Sequence, residues 1–439
     1  MPDYGEMSDI VGKMKRAAID CFMADQGFHP NWGNDQIYAK WGFMLNFYNR
    51  PNPQGEGGGD GNGVNHSVAP AFDEIRAAID ARVSPWLDLP DGGDACDTLA
   101  SATSSAAAIL GTSGAGASVQ NTGALATANE TVQQMVGNRI SGSFKPAFTD
   151  KYYTQFKSVS RGLGDACVIL QLNYSAQSAM WPAAKDDVAA ICDSARAAWD
   201  QKAGNAAAAS GTLVLTVVGA VAGVVGAVVT AGTGTAVAAA VLAGIAGGVS
   251  SGIQGIARNV IVAGNTYLDI LGSLDEALGK LNDALTKQED ELNAALTEAA
   301  GIIRSDNATY NLDAFALGPY PIGDGTMSMV REDATTVSNN MQRIDDELAG
   351  AVSALGSAPS SNPTPRNAGV GRSSSGTHYA ASDLYALTAR CLELTTAEYA
   401  RGHQLFNATV EDFFSTDSAA SQEVTRLLAE EVLNTNLGV

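Results

Sequence analysis

The side chains that could carry out chemistry are few, and they form no recognisable catalytic pattern. Four histidines are spread through the chain: His29, His66, His378 and His403. Each stands alone, mostly in a polar stretch, and we expect all four to be exposed to solvent. The acidic runs Glu289–Glu291 and Asp345–Glu347 are typical of the solvated face of a helix. Since the sequence also lacks a P-loop and an H-E-x-x-H motif, it predicts no enzyme, no metal site and no cofactor.

The cysteines offer one possible covalent link. They are Cys21, Cys96, Cys167, Cys192 and Cys391, and no two have the C-x-x-C spacing of a metal or redox site. Cys167 and Cys192 lie on successive predicted helices on either side of Pro182, so an antiparallel helix pair could join them in a disulfide. The alternative is that both are small, buried hydrophobic side chains.

The charge of the chain limits its partners. Its 439 residues carry a net charge of −21, which repels nucleic acid and excludes it as a partner. Anionic lipid is repelled too, so any membrane contact must be hydrophobic or led by a receptor. The first residues contain no basic region followed by an apolar run, unlike an ordinary signal peptide. We therefore expect a secreted or envelope-associated protein to leave the cell by a route other than Sec.

Residues 203–257, which we call the uncharged segment, contain no Asp, Glu, Lys or Arg. Its halves Leu213–Val229 and Ala236–Ile256 are each about long enough to cross a ~30 Å hydrocarbon layer as a helix. They predict a helical hairpin. The glycines that would let its two helices approach closely are Gly219, Gly223, Gly244, Gly248 and Gly252. Two environments remain open for this hairpin, a membrane or the dry centre of a bundle.

A heptad pattern follows the uncharged segment. Its apolar positions, which we call the leucine seam, are Leu271, Leu274, Leu278, Leu281, Leu285 and Leu292. Charged residues lie outside the seam, so the pattern predicts a long helix that assembles in a coiled coil or bundle. Gln288 interrupts the pattern and is a candidate for setting its register.

Helical periodicity extends over most of the remaining chain. It predicts a helix over Phe144–Trp181 that Pro182 ends or bends, another over Met327–Leu355, and a helical pair over Ser382–Leu437. Residues 50–66 form a linker too poor in apolar side chains to pack, and residues 356–378 are expected to be mobile. No stretch predicts a β-strand. The predicted fold class is all-α, an elongated helical bundle around the central hydrophobic hairpin.

These patterns divide the chain into six units. They are an aromatic N-terminal segment with its linker (1–66), a helical hairpin region (67–202), the hydrophobic hairpin (203–257), a long helix with its return helix (258–356), a second linker (357–381) and a C-terminal helical pair (382–439).

Two stretches resemble the all-helical substrates of actinobacterial type VII (ESX) secretion. Residues 72–181 contain a leading helix with Pro85–Pro90, a small-residue turn at Ser141–Phe144 and a second amphipathic helix, as in WXG-type hairpins. Residues 327–432 are similar to the ESX-associated helical pair, and Phe413 and Asp417 match its aromatic-x-x-x-acid export signal. Trp-x-Gly itself is missing, and Phe stands where Tyr is usual. The resemblance implies a secreted protein with a secretion partner or chaperone.

The overall plan, long amphipathic helices around a hydrophobic hairpin, also resembles α-helical pore-forming toxins. In such proteins the hairpin packs against the bundle in water and is released at a membrane. The sequence therefore predicts a protein that oligomerises, inserts its hairpin into a membrane, or does both. The alternative is a soluble scaffold of a secretion system or particle, whose hairpin stays buried in the bundle.

Overall fold

A computed structural model describes residues 2–31, 34–40, 43–111, 123–204, 213–217, 259–318, 327–356, 359 and 361–436. These residues are predominantly helical, which confirms the all-α prediction. The helices are α1 (Met7–Asp25), α2 (Ala69–Val83), α3 (Asp94–Ile109), α4 (Ala124–Arg139), α5 (Lys145–Thr149), α6 (Phe156–Lys202), α7 (Tyr267–Ser305), α8 (Asn307–Tyr310), α9 (Arg331–Leu355) and α10 (His378–Asn436). The strands are β1 (His29–Asn31), β2 (Asn34–Lys40), β3 (Phe43–Asn49), β4 (Leu213–Val214) and β5 (Asn259–Val260).

Helix α6 is the centre of the bundle and packs against α1, α3, α7 and α10. Pro182 lies inside α6 and does not end it. Of the two predicted outcomes, an end or a bend of the helix, the end is wrong, and Cys167 and Cys192 lie on one helix rather than on two successive helices. Proline lacks the N–H that would bond the carbonyl four residues earlier. Its neighbours Trp181 and Ala184 are completely buried, and this packing on both sides of Pro182 keeps the helix continuous.

Helix α7 confirms the long helix predicted from the heptad pattern. It begins with a capping box, because the Thr266 hydroxyl accepts from the Asp269 N–H at 3.2 Å and the Asp269 carboxylate accepts from the Thr266 N–H at 3.1 Å. All six leucines of the seam are buried. Since α7 lies against α6 and α10, the seam packs within the chain itself.

Helices α9 and α10 complete the bundle. Helix α9 packs against α3, α4 and α10. Helix α10 runs for 59 residues without a break, so the predicted C-terminal pair is a single helix. At Gly402 an added Cβ would lie 2.2 Å from the Tyr152 ring. A glycine is therefore needed where α10 crosses the segment that precedes α6.

A three-stranded antiparallel sheet lies beside α1, and the expectation of no β-strand is wrong here. Strand β2 pairs with both neighbours, and Tyr38 stands opposite Tyr48. Both tyrosines are buried, and the Tyr38 hydroxyl donates to Asp20 of α1 at 2.5 Å. Tyr38 and Tyr48 are brought together by strand pairing, and pairing partners are not visible in a local pattern.

The stretch predicted as an unpacked linker, residues 50–66, packs through its backbone rather than through apolar side chains. Arg76 of α2 donates from Nε to the Gly55 carbonyl at 2.7 Å. Gly55 has a φ of +74°, and an added Cβ would lie 2.5 Å from Cβ of Lys15 on α1. Asn52 accepts from the N–H groups of Gln54 and Glu56. Glycine here permits close contact, and hydrogen bonds replace the missing apolar burial.

The second predicted linker is also packed over the residues that the structure describes. Arg366 is inserted between α6 and α7, where its guanidinium bonds the Glu289 carboxylate and neither side chain is exposed. It also donates to the Val370 and Thr364 carbonyls at 3.0 and 3.1 Å and lies 4.5 Å from the Trp181 ring centre. The region that the sequence predicts to be mobile therefore contains a buried, ion-paired arginine, and its mobility stays a prediction.

Candidate functional site

Two short strands that flank most of the uncharged segment meet at one place on the bundle. Strands β4 and β5 pair antiparallel, with Leu213 opposite Val260 and Val214 opposite Asn259. We call residues 213–217 together with 259–268 the base. Because its two halves are hydrogen-bonded to each other, the described residues on either side of the stretch 218–258 lie next to each other on the bundle.

Asp187 of α6 fixes the first half of the base. Its carboxylate accepts from the N–H groups of Thr216 and Val217 at 2.8 and 2.9 Å, and from the Thr216 hydroxyl at 2.9 Å. Burial raises the pKa of Asp187, and the three hydrogen bonds act against that rise. Leu215 and Val217 are buried beside it. A single side chain thus attaches residues 216 and 217 to the central helix.

The second half of the base is attached to α1 and α6. The Tyr267 N–H donates to the Asp25 carboxylate at 2.9 Å, and the Trp199 indole N–H donates to the Tyr267 carbonyl at 3.3 Å. The Trp199 and Tyr267 rings stack with centroids 6.1 Å apart. Ser273 bonds both Ile261 and Ala263. These contacts hold the chain along the first turns of α7.

Three large apolar side chains of the base face outward. Val214, Ile261 and Leu268 are 58%, 57% and 69% exposed. Burying such side chains is favourable by about 1.5–3 kcal/mol each relative to full exposure. Their position next to a segment without charges gives this end of the bundle a surface that would gain from an apolar environment.

The predicted packing glycines Gly219, Gly223, Gly244, Gly248 and Gly252 lie outside the described residues. The two candidate export residues Phe413 and Asp417 lie on α10. Phe413 is half-buried and packs edge-on against Phe414 with ring centroids 5.1 Å apart. The side chain of Asp417 is outside the described part of the structure.

The predicted disulfide between Cys167 and Cys192 is not formed. All five cysteines are free and buried. Burial raises the pKa of Cys167 and of Cys192 to about 12. The alternative interpretation, small hydrophobic side chains in the core, is the one that the structure supports.

A Ser–His–Asp arrangement that the sequence did not reveal joins α9 and α10. Ser338 Oγ lies 3.2 Å from Nε2 of His403, and His403 Nδ1 lies 2.8 Å from Oδ2 of Asp345. His403 is only 7% exposed, so the expectation of a solvated histidine is wrong. Asp345 is half-buried, and its burial raises its pKa while the bond from His403 lowers it.

The order of these atoms is that of a serine-hydrolase triad, but the surroundings differ. Ser338 is the eighth residue of α9, where backbone N–H groups already bond the carbonyls of the preceding turn. Among the described residues around Ser338, the helix therefore leaves no N–H donor to stabilise an oxyanion. We interpret the arrangement as a hydrogen-bonded link between two helices.

Buried acids are the second feature that the sequence reasoning missed. Glu289 and Asp345 belong to acidic runs interpreted as solvated, yet each faces a basic partner inside the bundle. For both residues, the spacing from apolar neighbours in the sequence indicated a buried position. Glu289 follows Leu285 by four residues and precedes Leu292 by three, which places it on the buried face.

Comparisons with protein-family models, curated proteins and solved structures return no match for this chain. In the part of the chain that the structure describes, no group of three or more His, Cys, Asp and Glu residues could hold a metal ion. Within the same residues no helix is long and apolar enough to span a bilayer.

Proposed function

We propose that this protein is a helical bundle that acts by presenting its uncharged segment to a membrane. The observation that carries the proposal is the base. Strands β4 and β5 pair the chain on either side of most of the uncharged segment, beside three exposed apolar side chains. A segment whose flanking residues are fixed to the bundle can exchange one apolar environment for another without unfolding the helices that carry those residues.

The charge of the chain fits a hydrophobic rather than an electrostatic contact. With a net charge of −21, the bundle is repelled by anionic lipid. Val214, Ile261 and Leu268 are apolar, exposed and part of the base, which pairs the chain on either side of residues 218–258. They would be the first described residues to reach a bilayer that receives the segment.

The second candidate function is a soluble scaffold. It is favoured by the leucine seam, which is buried against α6 and α10 and so stabilises the bundle itself. In a scaffold the uncharged segment stays against the protein, and the exposed side chains of the base contact another protein.

Type VII-like export belongs to the same proposal and rests on the resemblance of residues 72–181 and 327–432. Secretion by an actinobacterial host that has a type VII system, and its loss in Phe413→Ala, would support this route. Equal secretion by a host without that system would refute it.

The test of membrane presentation uses the full chain and vesicles of phosphatidylcholine. Dye release and flotation on a density gradient are measured for the wild type and for Val214→Asp/Leu268→Asp. We expect the wild type to float and the variant to lose most of its flotation, because each new carboxylate must be dehydrated in the bilayer.

The matched control is Leu405→Asp on α10, where the replaced leucine is 58% exposed. This control should float like the wild type. A wild type that stays at the bottom of the gradient at every pH and lipid composition refutes membrane presentation and favours the scaffold.

A further inference from the structure

A cavity of about 780 Å³ opens between α1, the three-stranded sheet and the C-terminal end of α6. Its wall includes Lys13 and Arg16 from α1, Arg50 after β3, and Arg196 and Asp200 from α6. The volume lies in the range of sites that hold small organic molecules. It is separate from the base, although α6 contributes to both.

The charges of this cavity differ from those of the whole protein. The chain has 47 acidic and 26 basic residues, but the cavity wall has four Lys or Arg side chains and three carboxylates, together with His29. The carboxylates are Asp20, Asp35 and Asp200. Lys13 and Arg196 also pair with Asp9 and Asp193 beside the wall, which offset its small excess of cations. A small anion is favoured by the concentration of Lys and Arg donors on the wall rather than by a net positive charge.

The carboxylates of the wall are occupied by arginines. Arg50 donates from Nε to Asp20 at 2.8 Å, and its two terminal nitrogens bond Asp20 and Asp35. Tyr38 bonds Asp20 from the other side. Asp200 accepts from Arg196 at 2.7 Å. These bonds fix the Arg50 guanidinium in the wall and cover the Asp20 carboxylate, whereas the Asp35 side chain stays 74% exposed.

One buried donor in the wall lacks an acceptor. Arg16 bonds Asp35 through one terminal nitrogen at 2.9 Å, while its Nε is buried and has no hydrogen-bond partner among the described residues. Arg196 uses Nε and one terminal nitrogen for Asp193 and Asp200, and within the described part of the chain its other terminal nitrogen makes no hydrogen bond. Buried donors are usually paired, and the guanidinium fork matches phosphate and carboxylate oxygens.

We propose that this cavity binds a small organic anion carrying phosphate or carboxylate groups, with Arg16, Arg196 and Lys13 as its ligands. Asp20 holds the Arg50 guanidinium in place, so that its positive charge is fixed at the cavity wall. The proposal does not depend on the uncharged segment. The ligand is free in solution, because a protein of this charge is repelled by an anionic membrane surface.

Isothermal titration calorimetry with pyrophosphate and with citrate tests the proposal on the full chain. At least one probe should bind the wild type, and Arg16→Gln and Arg196→Gln should each weaken binding by at least about tenfold, the loss of one charged hydrogen-bonding partner. The matched control is Arg401→Gln, whose side chain is 72% exposed and lies elsewhere. It should bind like the wild type.

Lys13→Gln tests the site with a variant that should fold normally even if the arginine variants do not. The Lys13 side chain is 54% exposed and pairs only with Asp9 in the described structure, so this variant should unfold like the wild type and bind several-fold more weakly. The proposal is overturned if neither probe binds, or if Arg16→Gln and Lys13→Gln bind as well as Arg401→Gln. Sedimentation with phosphatidic acid vesicles tests whether the phosphate belongs to a lipid headgroup rather than to a free ligand. Binding to vesicles alone would overturn the free-ligand assignment.

Discussion

Replacing Arg366 with Met should destabilise the bundle severely, because it leaves the Glu289 carboxylate buried without its cation. Both side chains are completely buried in the native protein. Removing one partner of a buried ion pair costs about 3–5 kcal/mol. Met fills much of the same volume, so most of the loss comes from the uncompensated charge rather than from a cavity. The measurement is the free energy of unfolding in urea, followed by circular dichroism.

The pH dependence separates this cause from a simple loss of packing. Burial raises the pKa of Glu289, and Arg366 lowers it, so Arg366→Met should raise it further. A carboxyl group whose folded pKa is raised stabilises the fold below its unfolded pKa of about 4.3 and loses that contribution as the pH rises through the folded pKa. The deficit of the variant should therefore be largest at pH 8 and shrink towards pH 5.

Two further variants complete the experiment. Arg372→Met breaks an exposed pair with Asp290, whose side chains are 38% and 56% exposed, and should cost less than about 1 kcal/mol. Adding Glu289→Gln to Arg366→Met should recover much of the lost stability at pH 8. An Arg366→Met protein as stable as Arg372→Met, or a deficit independent of pH, would refute the reasoning.

Three other predictions follow from the core. Five carboxyl groups have pKa values raised chiefly by burial: Asp187, Asp200, Glu289, Glu291 and Asp345. Their contributions to stability are lost as the pH rises, so the calorimetric Tm should be higher at pH 5.5 than at pH 8, and a lower value would contradict this. A thiol reagent at pH 8 should modify none of the five buried cysteines in the native protein and all five in urea; three thiols in urea would indicate a disulfide. A fluorophosphonate should not label Ser338, since α9 supplies no oxyanion donors there, and labelling that disappears in Ser338→Ala would refute the structural interpretation.

The local sequence pattern was enough to predict a helix such as α7, where the apolar residues recur at helical spacing and a capping box marks the first turn. Leu271 to Leu292 recur at heptad spacing, and Thr266 and Asp269 cap the same helix, so every determinant of α7 lies within the segment itself. The absence of charges from residues 203–257 is likewise read directly from the sequence. The helical hairpin predicted from it stays a prediction, because its glycines lie outside the described residues. The strands were not predictable in this way, because Tyr38 is buried through pairing with β1 and β3 and through contacts with Asp20 of α1 and Phe72 of α2.

For the buried polar residues, the local sequence predicts the helix face but not the partner. Glu289, Asp345 and His403 each stand four residues after and three residues before buried apolar side chains, so the sequence placed them on the inner face of their helices. Whether a charge can remain there depends on a partner from elsewhere, since an unpaired buried charge is too costly. Arg366 reaches Glu289 from 77 residues away, and Asp345 meets His403 across 58. The sequence by itself determined which helix faces turn inward, and only the tertiary structure decided which polar side chains could stay there.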